Sequence, residues 1–220
     1  MSRIISIEGN IGSGKSTLVH NLQSHFKNKN INAIFIQEPV NIWNSIRDNN
    51  GTILEQFYKD QEKFSFSFQM MAYISRLSVL KNAIKQNPNA IIITERSLYT
   101  DKFVFAKMLY DNKKISDIDF QIYLKWFDEF IEELPKHEFI YLKTDPSKCF
   151  ERIAKRARPG ENIELNYLQE CSDYHDNMLT NTSSLCDLVL DGNIDEEVPT
   201  THIPSIENMI LTNSISHSYA

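Results

Sequence analysis

Residues 3–16 have the sequence RIISIEGNIGSGKS, and this stretch decides the fold. Its apolar first half, residues 3–8, is typical of a buried strand that ends at Gly9. Residues 9–16 match GxxxxGK[ST], the pattern of a loop that joins a strand to a helix and surrounds phosphate groups. Glycines let the backbone N–H groups of such a loop converge on phosphate oxygens at the positive end of the helix. The stretch therefore predicts a site for a nucleoside triphosphate, with a chance glycine-rich turn as the alternative.

Two side chains of this loop are candidates for chemistry. Lys15 can reach the phosphate that is transferred, and the Ser16 hydroxyl can bind Mg²⁺. A GTPase would in addition carry an NKxD element that reads guanine, and the sequence has none. The residues expected to contact the triphosphate are Gly9, Asn10, Ile11, Gly12, Ser13, Gly14, Lys15, Ser16 and Thr17.

Outward from the loop, short apolar runs alternate with stretches of helical periodicity. The strands are expected at residues 3–8, 33–37, 90–94, 138–143 and 188–191, and the helices at residues 15–27, 60–86, 99–110, 116–134, 145–156 and 165–179. The run AIIIT at 90–94 has no polar alternation, which is typical of a strand covered on both faces. We therefore predict an α/β fold, a five-stranded parallel sheet flanked by helices, with its ligand at the carboxyl ends of the strands.

The composition bounds the class of protein. The chain has 220 residues, 41% hydrophobic and 24% charged, which suits one soluble domain and excludes a disordered chain or a fibre. No apolar run is long enough to span a membrane and the N-terminus lacks a signal-peptide pattern, so we expect a cytoplasmic protein. The net charge of −6 argues against a general nucleic-acid binder. Cys149, Cys171 and Cys186 show no CxxC spacing, which argues against a disulfide framework or a zinc knuckle.

Charged residues follow two of the expected strands. Glu95, Arg96 and Ser97 come after the third strand, where a carboxylate can hold Mg²⁺ and an arginine can stabilise charge on a phosphoryl group. The alternative is an ion pair at a helix N-terminus. Glu38 ends the second strand, because Pro39 forces a turn there. From the same edge of the sheet, the Glu38 carboxylate can accept the proton of an attacking hydroxyl. The alternative is a solvated glutamate at a strand end.

Four cations lie close together in this chain of negative net charge: Arg152, Lys155, Arg156 and Arg158. Arg152 and Arg156 lie on one face of a helix, and Pro159 and Gly160 break that helix and provide a hinge. Cations next to a flexible loop suit a lid over a triphosphate, and we place this lid at residues 152–163. The alternatives are a solvated basic face and a patch that binds nucleic-acid phosphates.

The long expected helix has two different sides. Phe64 and Phe68 belong to an aromatic stripe, whereas a second group, spaced by three and four residues, lies together on another side: Gln69, Ala72 and Arg76. A buried glutamine amide offers a donor and an acceptor, which suits the edge of a nucleobase. Taken alone, the same spacing is more typical of an ordinary exposed face.

Together these residues resemble the deoxyribonucleoside kinases, a family that includes deoxycytidine, deoxyguanosine and insect multisubstrate kinases. The resemblance runs from about residue 4 to residue 191 and rests on motifs in one order: GNIGSGKS (9–16), Glu38-Pro39-Val40 followed by Trp43, Phe68-Gln69 with Arg76, Glu95-Arg96-Ser97, and RIAKRAR (152–158) followed by Tyr167-Leu168-Gln169. It implies a P-loop kinase fold with a short arginine-rich lid. The implied reaction is nucleotide salvage, in which the γ-phosphate of ATP is transferred, with Mg²⁺, to the 5′-hydroxyl of a deoxynucleoside.

The resemblance also implies partners and a location. Its members form homodimers, and the apolar helices near residues 64–80 and 118–134 are the expected interface. No nucleic acid and no membrane are expected as partners. The expected location is the cytoplasm, that of the host if the protein is viral.

A role for each candidate residue follows from the same resemblance. Glu38 would act as general base on the 5′-hydroxyl, while Arg96 and Lys15 would steady the reacting phosphate. Ser16 and Glu95 would bind Mg²⁺. The residues implied to bind the deoxynucleoside are Glu38, Val40, Trp43, Leu54, Tyr58, Gln69, Ala72, Arg76, Arg96, Asp101, Phe105 and Glu161, and those of the lid that bind ATP are Arg152, Arg156 and Arg158.

Within this set, the resemblance implies that some residues bind the base of the deoxynucleoside and others bind its sugar. Gln69 would pair with the base, which Trp43 and Phe105 would flank. Tyr58 and Glu161 would bind the 3′-hydroxyl of the sugar. The segment PGENIEL that contains Glu161 is one residue shorter than in the relatives.

Arg76 and Asp101 match positions at which family members that prefer cytosine or purine nucleosides carry an arginine and an aspartate. Asp101 can accept from an exocyclic amine or orient Arg76, whereas thymine offers a carbonyl and a methyl group. We therefore predict a preference for amino-bearing bases, deoxycytidine ahead of the purines, over thymidine. The alternatives are a thymidine-preferring or multisubstrate kinase, a nucleoside monophosphate kinase and a nucleotide-dependent switch protein. A monophosphate kinase would need cations where Glu38 offers a carboxylate.

The end of the chain gives a weaker signal. Its last 25 or so residues show little periodicity. We therefore expect one kinase domain over residues 1–192 and a C-terminal tail over residues 193–220 that is in part disordered.

Overall fold

Strands and helices alternate along the chain as the sequence pattern predicts. The computed structural model describes residues 2–158, 161–181, 186–194 and 201–216. Its strands are β1 (Arg3–Glu8), β2 (Ala33–Ile36), β3 (Arg47–Asp48), β4 (Gly51–Thr52), β5 (Ile91–Glu95), β6 (His137–Lys143) and β7 (Cys186–Asp191). Its helices are α1 (Lys15–Asn28), α2 (Val40–Ser45), α3 (Ile53–Lys59), α4 (Gln61–Gln86), α5 (Leu98–Thr100), α6 (Lys107–Asp111), α7 (Asp117–Ile131), α8 (Pro146–Arg156), α9 (Leu165–Asp176) and α10 (Ile203–Ser216). Two π-helical segments, Asp101–Ala106 and Asn177–Asn181, follow α5 and α9.

Five strands form one parallel sheet in the order β2-β5-β1-β6-β7. In the central strand β1, Ile4 and Ile5 have no exposed surface although they face opposite sides of the sheet. Leu22 of α1 packs in the core on the side of Ile5, and Leu80 of α4 packs on the side of Ile4. Cover on both faces explains why the strands are continuous apolar runs. The predicted α/β fold with a five-stranded parallel sheet is confirmed.

The carboxyl ends of these strands meet at one edge of the sheet. There β1 leads into the phosphate loop at Gly9, β2 leads to Glu38, and β5 ends at Glu95. Helix α1 begins at Lys15 directly after the loop, so its N-terminus lies at the same edge. The topology therefore brings together candidate residues that are far apart in the sequence.

Between β2 and α4 lie elements that periodicity does not reveal. Helices α2 and α3 have six and seven residues, and the hairpin formed by β3 and β4 has two residues in each strand. Such lengths are too short to establish a period. One local signal does mark the start of α3, because Thr52 and Glu55 form a capping box in which the Thr52 hydroxyl accepts from the Glu55 N–H at 3.2 Å.

Two of the expected helices are less uniform than their patterns suggest. The helix expected at 99–110 is divided into α5, a π-helical segment and α6, and the helix expected at 165–179 is α-helical only as far as Asp176. The break expected at Pro159 and Gly160 lies outside the described residues.

Among the described helices, none is both long enough and apolar enough to cross a membrane.

The C-terminal tail expected over residues 193–220 contains a helix of the core. In α10, Ile206 and Ile210 are fully buried in the cluster that also holds Phe26 of α1. The Arg3 guanidinium donates to the carbonyl oxygen of Ile210 at 2.7 Å. The expected tail therefore contains an ordered helix over Ile203–Ser216, while residues 195–200 and 217–220 lie outside the described residues.

Candidate active site

A cavity of about 650 Å³ opens at the carboxyl edge of the sheet. It extends from the phosphate loop, past the ends of β2 and β5, to the side of α4. The predicted site residues that line it are Ile11, Gly12, Ser13, Gly14, Lys15, Ser16, Thr17, Glu38, Trp43, Leu54, Tyr58, Gln69, Ala72, Arg76, Glu95, Arg96, Asp101, Phe105, Arg152, Arg156, Arg158 and Glu161. Three predicted residues do not line it: Gly9, Asn10 and Val40.

The backbone of the phosphate loop passes too close to its neighbours for side chains. A Cβ at Gly12 would lie 2.6 Å from the carbonyl oxygen of Cys149 in α8, and the φ angle of Gly12 is +79°. A Cβ at Gly9 would lie 2.6 Å from the carbonyl oxygen of Leu142. The glycines therefore keep an open backbone cradle at the start of α1, which fits a phosphate group.

Asn10 shapes this loop instead of lining the cavity. Its Nδ2 donates to the carbonyl oxygen of Leu168 in α9 at 2.8 Å, and its Oδ1 accepts from the N–H of Ile11 at 2.8 Å. The side chain is thereby committed to joining the loop to α9. This explains why Asn10 is absent from the residues that line the cavity.

Lys15 is a buried cation of the loop. Its described hydrogen bonds go to uncharged oxygens, the Asn10 carbonyl at 2.6 Å and the Ser13 hydroxyl at 3.4 Å. Burial, and after it the charge of Arg96, lower the pKa of Lys15 to about 8. At neutral pH the ammonium is still the major form, so Lys15 offers a positive charge to an anion that enters the cavity.

Ser16 and Glu95 place two oxygen ligands beside the loop. The Ser16 hydroxyl donates to Glu95 Oε1 at 2.5 Å. Hydroxyl and carboxylate oxygens next to phosphate groups are the ligands that Mg²⁺ takes in proteins, with phosphate oxygens and water completing its coordination. These two residues therefore fit a Mg²⁺ ion that arrives with a nucleoside triphosphate.

Glu38 shares one carboxylate oxygen between two guanidinium groups. Its Oε1 lies 2.9 Å from Nε of Arg96 and 3.2 Å from Nη2 of Arg76. Burial acts to raise the pKa of Glu38, but the charges of Arg96, Arg76 and Lys15 outweigh it and hold the pKa below its ordinary value. The carboxylate is therefore ionised at neutral pH. Its Oε2 receives no hydrogen bond from the described residues, and the side chain is 22% exposed, toward the cavity.

Arg76 connects Glu38 to a second buried carboxylate. Its Nε donates to Asp101 Oδ2 at 2.9 Å, and its Nη2 lies 3.4 Å from Oδ1 of the same residue. Nη1 of Arg76 donates to the carbonyl oxygen of Glu95 at 2.8 Å. Burial raises the pKa of Asp101, although Arg76 works against this effect. The guanidinium is thus fixed by two carboxylates and one strand end.

The side of α4 that carries Arg76 is not an ordinary exposed face. Gln69, Ala72 and Arg76 are only 2%, 4% and 5% exposed. They are covered because α4 packs against the π-helical segment Asp101–Ala106, which carries Asp101 and Phe105. The exposed-face alternative, which spacing alone favours, is therefore wrong.

Aromatic side chains form the wall next to Gln69. Trp43 Nε1 donates to the Ser75 hydroxyl at 2.8 Å, and the Trp43 ring meets the edge of Phe68 with centroids 5.5 Å apart. Phe57 stacks on Phe68 at 4.7 Å. Val40 packs behind this wall, against the cluster of Trp43 and Phe57, and this explains why it does not line the cavity as expected.

Tyr58 and Glu161 both line the cavity, and Glu161 has cationic partners. Its carboxylate lies 2.5 Å from Nη2 of Arg156 and 3.9 Å from Nη1 of Arg158. Two of the expected lid arginines thus hold a residue expected to contact the sugar.

Arg152, the third expected lid arginine, has different partners. Its Nη1 donates to the carbonyl oxygens of Ser13 at 3.1 Å and Gly192 at 2.9 Å, and its Nη2 donates to that of Ile194 at 3.0 Å. Arg152 therefore joins the phosphate loop to the segment that follows β7, which leaves it fewer donors for phosphate than expected.

Several lining residues were not among the predicted site residues: Phe57, Phe68, Leu142, Lys148, Glu151, Lys155, Tyr167, Asp191, Gly192 and Ile194. For Asp191 and Gly192 a signal exists, since they end and follow a parallel strand at its carboxyl end. Phe57 gives none, because it belongs to α3, which is too short to show a period.

A phosphate loop after β1, with a hydroxyl and a carboxylate for Mg²⁺ beside it, defines a P-loop protein that binds a nucleoside triphosphate. The family model described as deoxynucleoside kinase matches residues 5–213. The chain belongs to the deoxynucleoside kinase family, and is accordingly an ATP-dependent kinase, a transferase of deoxynucleoside salvage. The match extends past residue 191 into α10.

Individual relatives agree with this family. A protein of fowlpox virus (strain NVSL) named "probable deoxycytidine kinase" is 38% identical over 180 residues, which cover 80% of this chain and 71% of that protein. The mitochondrial deoxyguanosine kinase of Xenopus laevis is 31% identical over 196 residues, 80% and 72% of the two chains. Deoxycytidine kinase of Homo sapiens is 32% identical over 197 residues, 80% and 74%. The resemblance found in the sequence is confirmed.

Proposed function

We propose that this kinase transfers the γ-phosphate of ATP to the 5′-hydroxyl of deoxynucleosides with amino-bearing bases, deoxycytidine ahead of the purines, with Glu38 as the general base. One observation carries the proposal: Arg76 bridges Glu38 and Asp101, so the proposed reacting end and the proposed base end of the cavity share one ion-pair network. A thymidine-preferring or multisubstrate kinase is the alternative.

At the reacting end, Glu38 has the protonation state that a base needs. Its Oε1 is held by two arginines, and Oε2 remains to accept the 5′-hydroxyl proton. Phosphoryl transfer passes through a loose transition state, so a weakly basic carboxylate suffices to take the 5′-hydroxyl proton. The bond from the 5′-oxygen to the γ-phosphorus forms as the bond from that phosphorus to the bridging oxygen breaks and ADP leaves. Arg96 and Lys15 supply the positive charge that the phosphoryl oxygens require.

In this proposal Ser16 and Glu95 hold Mg²⁺, which when bound neutralises charge on the phosphate oxygens. Arg156 and Arg158, in the proposed lid at residues 152–163, bind the triphosphate. In the absence of substrates, the contacts of these arginines with Glu161, at 2.5 and 3.9 Å, hold the guanidinium groups and the carboxylate at the cavity. Bound substrates then take the place of these ion pairs. Glu161 and Tyr58 then bind the 3′-hydroxyl.

At the base end, Asp101 and Arg76 support the preference for amino-bearing bases. Cytosine, adenine and guanine carry exocyclic amines that can donate to this buried pair or to Gln69, whereas thymine places a carbonyl and a methyl group there. A buried acceptor without a donor costs about 1–3 kcal/mol, or about one to two powers of ten in the ratio of rates. The names of the relatives, deoxycytidine and deoxyguanosine kinases, agree with this direction.

The active form in this proposal is a homodimer packed through α4 and α7. An apolar stripe at four-residue spacing is exposed on α7, where Ile118, Ile122 and Trp126 are 71%, 42% and 46% exposed. Ile74 on the adjacent α4 is 49% exposed. Such a contiguous apolar surface is typical of an interface between proteins.

The first experiment measures ADP release from Mg-ATP with deoxycytidine, deoxyadenosine, deoxyguanosine, thymidine or dTMP as the acceptor. The proposal predicts the highest kcat/KM with deoxycytidine and a low value with thymidine. Activity mainly on thymidine would overturn the base preference and leave the general base in place. Activity on dTMP alone would overturn the role of Glu38, because the acceptor would then bring its own phosphate to a carboxylate.

A pair of substitutions tests the base end directly. Arg76→Met with Asp101→Ala removes both charges together, so no buried charge is left unpaired. The ratio of kcat/KM for thymidine to that for deoxycytidine should rise by about one to two powers of ten. An unchanged ratio would show that this pair does not select the base.

A further inference from the structure

His175 in α9 is a buried histidine that no sequence motif singles out. It has no exposed surface, and its ring is nearly parallel to that of Tyr141, at 6° with centroids 6.2 Å apart. The Phe105 ring meets it edge-on at 6.2 Å. Both ring nitrogens have a partner, since Nδ1 lies 2.6 Å from the carbonyl oxygen of Cys171 and Nε2 lies 3.3 Å from Nη1 of Arg96.

The Cys171 contact is the one that places the proton of the neutral ring on Nδ1, although the Gly9 carbonyl is a second backbone acceptor beside the ring. A carbonyl oxygen can only accept, so Nδ1 of His175 donates to Cys171. A guanidinium can only donate, so Nε2 accepts from Arg96. Burial, and after it the charge of Arg96, hold the pKa of His175 well below its ordinary value. The neutral ring therefore presents a lone pair to Arg96 at physiological pH.

Arg96 is held by its surroundings in an unusual conformation. Its φ angle of +65° lies in the left-handed region, which residues other than glycine rarely adopt. Nε is bound to Glu38 at 2.9 Å, and one Nη1 proton goes to the Gly9 carbonyl oxygen at 2.8 Å. The other Nη1 proton goes to His175, and the guanidinium lies over the Phe105 ring at 4.9 Å. Nη2 makes no hydrogen bond to the described residues, and Arg96 is among the residues that line the cavity.

We propose that His175 is a positioning residue for phosphoryl transfer: by accepting the second Nη1 proton it fixes the rotation of the Arg96 guanidinium and keeps Nη2 for the transferred phosphate. The inference rests on the role of Arg96 in the proposed function. His175 does not line the cavity and acts only through Arg96. Its loss should therefore lower the rate of the chemical step more than the affinity for the deoxynucleoside.

Two substitutions separate the acceptor from the volume of the ring. His175→Phe keeps an aromatic ring beside Tyr141 but removes the acceptor, whereas His175→Gln retains an acceptor oxygen at a similar reach. We expect H175F to lower kcat by about 10- to 100-fold, with KM for deoxycytidine changed less than about threefold. H175Q should recover most of the lost kcat. Equal kcat values for H175F and the wild type, or equal losses in the two variants, would overturn the proposal.

His137→Phe is the matched control. His137 is also buried, 4% exposed, but it starts β6 at the amino edge of the sheet, opposite the cavity. H137F should keep the wild-type kcat. A loss in H137F as large as that in H175F would contradict the proposal, because the loss would then follow from replacing any buried histidine.

Arg96→Lys distinguishes the failure of this inference from the failure of the proposed function. If R96K keeps the wild-type kcat, transfer does not need the guanidinium of Arg96, and the inference about His175 falls together with the guanidinium role of Arg96. If R96K loses activity while H175F does not, only the inference about His175 falls. The proposal expects that adding H175F to R96K lowers kcat no further, because both act through one group.

A measurement on the wild-type chain keeps the proposal testable even if H175F fails to fold. Two-bond ¹⁵N–¹H correlation spectra distinguish the two neutral histidine tautomers. At pH 7, the signals absent from the H175Q spectrum should show a protonated Nδ1 and an unprotonated Nε2. A proton on Nε2 would exclude the hydrogen bond from Arg96 and overturn the proposal.

Discussion

At the residue scale, the centre of the candidate site is a carboxylate whose ionisation depends on its neighbours. Glu38 is partly buried, which by itself would raise its pKa, yet Arg96 and Arg76 hold the pKa below the ordinary value. Arg76 in turn is fixed by Asp101 at 2.9 Å. A change at Arg76 should therefore appear in the pH dependence of the reaction as well as in the choice of base.

This dependence gives a prediction for Arg76→Met. The wild-type Glu38 stays ionised well into the acid range, so it should add no loss of kcat/KM for deoxycytidine between about pH 8 and about pH 5. Removing the Arg76 charge leaves burial opposed by fewer cations, so the pKa of Glu38 rises. In R76M, the acid limb of kcat/KM should therefore lie at higher pH than in the wild type, and a pH–rate profile measures this shift.

Asp101→Ala is the control for that profile. It also alters the base end of the cavity, but it leaves the Arg76 charge next to Glu38. The D101A profile should therefore keep the wild-type shape, at a lower overall rate. If R76M and D101A show the same acid limb, the charge of Arg76 does not set the ionisation of Glu38.

Residues at strand ends could be predicted from the sequence, because a parallel sheet places them all at one edge. Glu38 and Glu95 needed only the positions of two strands. Phe57 and His175 could not be predicted, since each reaches the site through the packing of a helix that the local pattern does not orient. His175 makes its contact with Arg96 across 79 residues of sequence.

At the element scale, the sequence of α10 contains a helical pattern that the sequence analysis did not use. Ile203, Ile206 and Ile210 have the spacing of a helix face, but polar residues surround them and the run is short. The residues that stabilise this helix lie outside its own sequence, because apolar side chains of α1 and of the sheet pack against it. Long apolar runs such as β1 and β5 carry their own signal, and they were predicted to within a residue.

A stability measurement tests the place of α10 in the core. Ile206→Ala removes a fully buried side chain, and we expect it to lower the free energy of unfolding by about 2–5 kcal/mol. Leu211→Ala on the same helix is the control, because Leu211 is 40% exposed and should change the free energy by less than about 0.5 kcal/mol. Urea unfolding followed by circular dichroism gives both values. Similar values for the two variants would show that α10 does not pack as described.

At the scale of the whole molecule, the two ends of the cavity come from opposite layers of the fold. The phosphate loop and α1 belong to one side of the sheet, whereas α4, on the other side, carries Gln69 and Arg76. The same α4 and its neighbour α7 hold the exposed apolar stripe. In a dimer packed through them, the helix proposed to bind the base would be supported on its outer side by the partner.

The last prediction concerns this assembly. Trp126 is 46% exposed, its ring stacks on Phe130 at 5.9 Å, and its backbone carbonyl oxygen accepts from the Tyr73 hydroxyl of α4 at 2.9 Å. The helix is therefore held in place without the outer surface of the indole. Trp126→Glu should convert the dimer to a monomer, because a carboxylate at the centre of an apolar interface loses its hydration without gaining a partner.

Light scattering coupled to size-exclusion chromatography measures the mass of each variant. Val189→Glu is the control. Val189 is also an exposed apolar residue, 52% exposed, but it lies on the edge strand β7 of the sheet and not on α4 or α7. This variant should leave the mass of a dimer, twice 25.6 kDa, unchanged. A monomeric wild type would contradict the proposed homodimer, and a dimer that persists in W126E would place its interface elsewhere. If W126E is a folded monomer with a raised KM for deoxycytidine, the partner supports the base-binding side of α4.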